Sequence, residues 1–129
     1  MPLITIDLIE GRSDEQLQTL LDTVHRAMVD AFQVPERDRY QIVNERRPGR
    51  LIVEDTGLDI PRTHNVVVIR AVSRPRTEES KTRFYQLLAQ LLKERCGIEP
   101  SDLMVSIVTN SDADWSFGHG RAQFLTGEL

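Results

Sequence analysis

The chain has 129 residues, with 16 Lys and Arg against 20 Asp and Glu, for a formal net charge of −4. That length suits one domain with a buried core, and the acidic balance excludes the basic stripe of a nucleic-acid binder. No run of about 18 apolar residues marks a membrane span, no secretory leader opens the chain, and the single Cys96 excludes an intrachain disulfide. The expectation is a cytoplasmic protein of one domain over 1–129, acting on a small molecule or on another protein.

Pro2 follows Met1 and opens an apolar, strand-like run from Leu3 to Leu8. Met before a small residue is normally trimmed, which would leave a secondary amine at the start of that strand. A terminal amine titrates near 7.7–8.0 when unperturbed, roughly where an acid or base for neutral pH is wanted. Next come Ser13 and Gln16, a helix-start signal, and Leu17, Leu20, Leu21, Val24, Ala27, Met28 and Ala31 at three- and four-residue steps. This helix is predicted to end near Phe32, with Pro35 in the turn beyond it. Tyr40 to Val43 reads as a strand, and Glu45 to Pro61 as a connecting hairpin and loop. Val66 to Val72 reads as a strand buried on both faces. A second helix follows from Thr77 to Gly97, striped by Phe84, Leu87, Leu88, Leu91 and Leu92, and Leu103 to Val108 returns as a strand.

Sliding the sequence over itself by 64 positions aligns the two halves without a gap. Arg12-Ser13-Asp14-Glu15 falls on Arg76-Thr77-Glu78-Glu79, Leu20 on Phe84, and Asp38 on Asp102. The predicted fold is therefore α/β (α+β): a duplicated βαβ unit, over about 2–45 and 66–109, forming a four-stranded sheet with both helices on one face, plus a C-terminal hairpin or tail. The other sheet face is left open. Ile42, Val67 and Val105, with no helix to shield them, suggest that subunits pack face to face around a symmetry axis.

Ser73-Arg74-Pro75-Arg76 sets two guanidinium groups between a strand end and a helix start, a favourable place to hold a carboxylate. Arg74 falls on Glu10 in the first half, so the fold does not require a base there. Arg76 falls on Arg12 and leaves a structural role open. Asp38 could support an ammonium or a water, although its counterpart Asp102 leaves open a plain turn-capping role. The tail holds the only Trp, Trp115, with Phe117 and Phe124 close behind, either stapling the tail to the core or to a neighbouring subunit, or forming an apolar wall beside a charged site. His25, His64 and His119 lack metal-ligand spacing, and no phosphate loop or nucleophile elbow occurs, so neither metal nor cofactor is expected.

Pro2, Asp38-Arg39-Tyr40, Glu54-Asp55-Thr56-Gly57, Ser73 to Arg76 and Asn110 to Gly118 together resemble the tautomerase superfamily, and within it a decarboxylase branch. The resemblance runs through nearly the whole chain. It implies a β-α-β fold in a homotrimer and a cofactor-independent reaction that turns 3-oxopropanoate (malonate semialdehyde) into acetaldehyde and carbon dioxide. It also implies Pro2 as cationic general acid, Arg74 and Arg76 on the carboxylate, Asp38 as support for the ammonium or a water, and Trp115, Phe117, Phe124 and Leu129 as a hydrophobic wall. Two other readings share these residues. One is a tautomerase or hydratase of a small 2-oxo or unsaturated acid, and the other a cytokine-like binding protein that does no chemistry.

Overall fold

Both predicted helices start on the expected caps. In the computed structural model, which describes residues 2–129, the Gln16 N–H donates to Ser13 Oγ at 3.1 Å and the Ser13 N–H donates to Gln16 Oε1 at 2.9 Å. This capping box opens α1 (Asp14–Phe32). Thr77 repeats half of it, accepting from the Ser80 N–H at 3.1 Å to open α2 (Glu78–Cys96). Gln33 and Gly97 close the helices in left-handed conformations. Each pair of landmarks is separated by the same offset that aligns the sequence halves.

The strands are β1 (Leu3–Ile9), β2 (Gln41–Arg46), β3 (Val67–Ser73) and β4 (Leu103–Thr109), in the order β2-β1-β3-β4. β1 runs parallel to β2, β3 runs parallel to β4, and the central pair β1 and β3 is antiparallel. Ile4, Ile6, Leu8 and Ile69 point to one side of the sheet, into a core completed by Leu20 and Val24 of α1 and by Phe84 and Leu88 of α2. Each such side chain removed from water stabilises the fold by about 1.5–3 kcal/mol. Phe32 and Phe84, with ring centroids 4.9 Å apart, join the two helices.

The open sheet face is real, but two of the three residues expected on it lie elsewhere. Val67 is fully buried beneath the helices and Val105 leans on the same core, because the register pairs Val67 with Leu8 and Val105 with Ile69. Ile42 is exposed there as expected, together with Met104 and Val108. For the same reason β3 is not buried on both faces: Val68 and Val72 are half-buried and Arg70 is exposed on the open side. Beside them Asp7, 7% exposed, accepts from Arg46 at 3.1 Å and Arg70 at 2.9 Å, tying β1 to both its neighbours.

Two further expectations are corrected. No hairpin follows Glu45 among the described residues; β2 runs on to Arg46 and a loop of turns reaches β3. The C-terminal hairpin is reduced to a single bridge between Gly118 and Arg121, preceded by a short turn at Asp112–Asp114 and followed by the one-turn helix α3 (Gln123–Thr126). No described helix is long and apolar enough to cross a membrane.

Candidate active site

The strand directions gather the candidate residues at one end of the sheet. Pro2 is buried at the head of β1, one residue before Leu3, which pairs with Val72 near the end of β3. Ile4 donates its N–H to the Tyr40 carbonyl at 2.9 Å, which brings the entry to β2 alongside. Ser73, at the end of β3, pairs with Thr109, and its carbonyl accepts from the Asn110 N–H at 2.8 Å. The segments bearing Pro2, Asp38, the two arginines and the aromatic tail therefore meet.

Arg74 donates to Asp112 at 3.1 Å and lies over Phe124, with its guanidinium carbon 3.8 Å from the ring centroid. Its Nε is buried without a partner among the described residues. Arg76 donates from Nε to Ser73 Oγ at 3.1 Å and lies 5.3 Å above Phe32. Burial, then the charge of Arg74, lowers the Arg76 pKa, though a guanidinium stays charged at neutral pH. Trp115 donates to Asn110 Oδ1 at 2.8 Å and stacks on Phe117 at 5.3 Å. Phe117 meets Phe124 edge-on at 5.4 Å and Tyr40 at 5.6 Å. Pro35, Arg37, Asp38, Tyr40, Phe117 and Leu129 line a cavity of about 480 Å³. Of the predicted residues, Asp38, Phe117 and Leu129 are on its wall. Arg74 and Phe124 adjoin it through Phe117, on which Trp115 stacks.

The two halves use their matched carboxylates differently. Asp102, 1% exposed, accepts from both the N–H (2.7 Å) and the hydroxyl of Thr63, which makes it a structural clasp. Asp38, 4% exposed, has no partner for either carboxylate oxygen among the described residues. Burial raises its pKa above the ordinary carboxylate range, partly offset by the nearby charges of Arg76 and Arg74. Thr63 precedes Val66, the counterpart of Pro2, so the second half fills with chain the region that the first half leaves to the start of β1. The expected loss of Met1 concerns a residue outside those described.

A second cavity, of about 660 Å³, lies at the opposite end of the sheet among Glu10, Arg12, His64, Asn65, Cys96 and Ile98. It is larger, yet chemically the weaker site. Glu10 stands where the first cavity's neighbourhood has Arg74, the Arg12 guanidinium is tied to the Asn65 carbonyl at 3.1 Å, and Asp102 is occupied by Thr63. Burial raises the Cys96 thiol pKa, the opposite of what a reactive thiolate needs.

Family models described as tautomerase enzyme match residues 38–118 and residues 2–60. A probable tautomerase of Bacillus subtilis, YrdN, is 56% identical over all 129 residues of both chains. This chain belongs to the tautomerase family. A solved malonate semialdehyde decarboxylase, described with decarboxylase and hydratase activities, is also 56% identical, with a TM-score of 0.96 over 98% of each chain. A second, FG41 malonate semialdehyde decarboxylase inhibited by 3-bromopropiolate, is 41% identical with a TM-score of 0.94 over 98% of this chain and 97% of that one.

In this tautomerase-family chain, sequence reasoning left several site neighbours without a role. Tyr40 appeared in a strand and in the Asp38-Arg39-Tyr40 motif but was given no role of its own, although an aromatic at a strand entry beside Asp38 was a usable signal. Asp112 and Asn110, which hold Arg74 and Trp115, sit inside the tail motif but are marked by no spacing. Phe32, under Arg76, was read only as the end of the first helix.

Proposed function

We propose that the protein is a cytoplasmic, cofactor-independent decarboxylase of 3-oxopropanoate, working as a homotrimer after Met1 is removed. The observation that carries this reading is Asp38: a buried carboxylate, without a partner among the described residues, beside the head of β1 and within the field of two arginines. A free amine on Pro2 would meet a counter-charge there, and a negative charge at that place favours the ammonium form.

In this reading Arg74 and Arg76 hold the substrate carboxylate while the Pro2 ammonium donates to the aldehyde oxygen. The C–C bond to the carboxylate breaks, carbon dioxide leaves, and the electron pair moves onto the carbonyl oxygen as an enolate. The N–H donor stabilises that charge as it develops, so its effect is greatest in the transition state. Protonation of the enolate carbon then gives acetaldehyde. The clustered rings of Trp115, Phe117 and Phe124 keep water from the departing group, which leaves as a neutral molecule.

The test is acetaldehyde release from 3-oxopropanoate by protein whose mass confirms Met1 loss. Arg74→Ala is expected to lower kcat/KM by about 10²–10³-fold, as for loss of one preorganised charged donor. The rate should fall as Pro2 deprotonates, since the acid form is the active one. No release from trimmed protein would reject the proposal and favour tautomerisation or hydration of another small oxo acid.

A further inference from the structure

His25 lies on α1, is 5% exposed, and belongs to no step above. Its Nε2 is 2.8 Å from the Glu36 backbone carbonyl. A carbonyl only accepts, so Nε2 is the ring nitrogen that carries hydrogen here, and Nδ1 is left as a buried acceptor with no partner among the described residues. Leaving such an acceptor unmet is unfavourable, so the ring is held for the sake of its other bond. Glu36 belongs to the turn from Pro35 to Asp38, closed by the Asp38 N–H donating to the Pro35 carbonyl at 3.0 Å.

The second half supplies an internal comparison. Its turn is closed in the same way, by the Asp102 N–H donating to the Glu99 carbonyl at 2.9 Å. Yet 64 positions from His25 stands Ala89, and from Glu36 stands Pro100. There the turn is fixed through the carboxylate itself, by Thr63. In the first half the carboxylate has no partner among the described residues, and the turn is anchored through its main chain by His25. That anchor is the one that leaves both Asp38 oxygens available.

We propose that His25 is a positioning residue, whose Nε2–H bond to the Glu36 carbonyl holds the Pro35–Asp38 turn so that the Asp38 carboxylate faces the head of β1. This rests on the reading that Asp38 serves the Pro2 amine. The charged groups around the pair are Arg74 and Arg76, whose charges act on Asp38, and the Glu36 carboxylate, 3.7 Å from His25 Nε2, which also pairs with Arg26.

The test uses trimmed, full-length protein carrying His25→Gln, whose amide N–H can reach the carbonyl, or His25→Leu, which fills the space without a donor. Two quantities are read: the titration of the ¹⁵N-labelled Pro2 amine, and kcat and KM on 3-oxopropanoate. His25→Leu is expected to move the amine titration to lower pH and to lower kcat by about tenfold with KM little changed, the usual signature of misplacement. His25→Gln should restore both. An amine titration unmoved by Leu, or a Gln variant no better than Leu, would overturn the proposal. Should the Leu variant fail to fold, the ring nitrogens of wild-type His25 decide the matter: hydrogen on Nδ1 with Nε2 bare is incompatible with the inferred bond. The amine titration does not depend on turnover. A wild type inactive on 3-oxopropanoate whose amine still responds to His25→Leu would therefore sink the decarboxylase reading and leave His25 in place.

Discussion

Asp38 sets stability against activity at a single carboxyl group. Its folded-state pKa is raised, chiefly by burial, so the stabilisation linked to it is complete below the unfolded carboxylate value and is lost as pH rises through the raised folded one. Asp38→Asn in the chain bearing Met1 removes that loss. We expect unfolding at pH 7 to cost about 1 kcal/mol more than in wild type, with the difference vanishing in acid, as checked by urea titrations at both pH values. In trimmed protein the same change takes the counter-charge from the Pro2 amine. The alkaline limb of kcat/KM should then shift to lower pH; an unshifted limb would mean that Asp38 does not influence the amine.

At the scale of elements, the two matched turns predict opposite responses. Asp102→Ala leaves the Thr63 N–H unpaired and should destabilise the protein by about 1–3 kcal/mol in chemical denaturation, with kcat of the folded enzyme nearly unchanged. In the tail, Phe117→Ala removes the ring shared by Tyr40, Trp115 and Phe124. Because none of the tail is fully buried, Tm should barely move while kcat/KM falls by about tenfold; a large drop in Tm with intact turnover would make the tail a staple instead. The helices were legible in the sequence almost to the residue, since caps and a 3.6-residue period are local properties. The facing of β3 and β4 was not. Val66 to Val72 is apolar at nearly every position, so alternation could not show that Val67 points inward, and only pairing with Leu8 decides it. Pro2, Asp38 and the arginines could be picked out as residue types at particular places, whereas the anchoring of Asp38 by His25 depends on an approach between α1 and a turn that no spacing encodes.

For the whole molecule, the open sheet face is the dominant unmet demand. Ile42, Met104 and Val108 are exposed around the Asp7–Arg46–Arg70 cluster, an arrangement suited to burial against further copies. Light scattering should give about three times the 14.8 kDa chain mass, and Ile42→Asp together with Met104→Asp should reduce it to one; a monomeric wild type would remove the trimer from the proposed function. A practical consequence follows from where the chain ends lie. Pro2 heads β1, and Leu129 is on the cavity wall at that same end of the sheet, so an affinity tag fused to either end would crowd the mouth of the site. The loop after β2 leaves from the opposite end, and the exposed turn at Gly49 is a place where a short tag would keep protein purification from masquerading as enzyme inhibition.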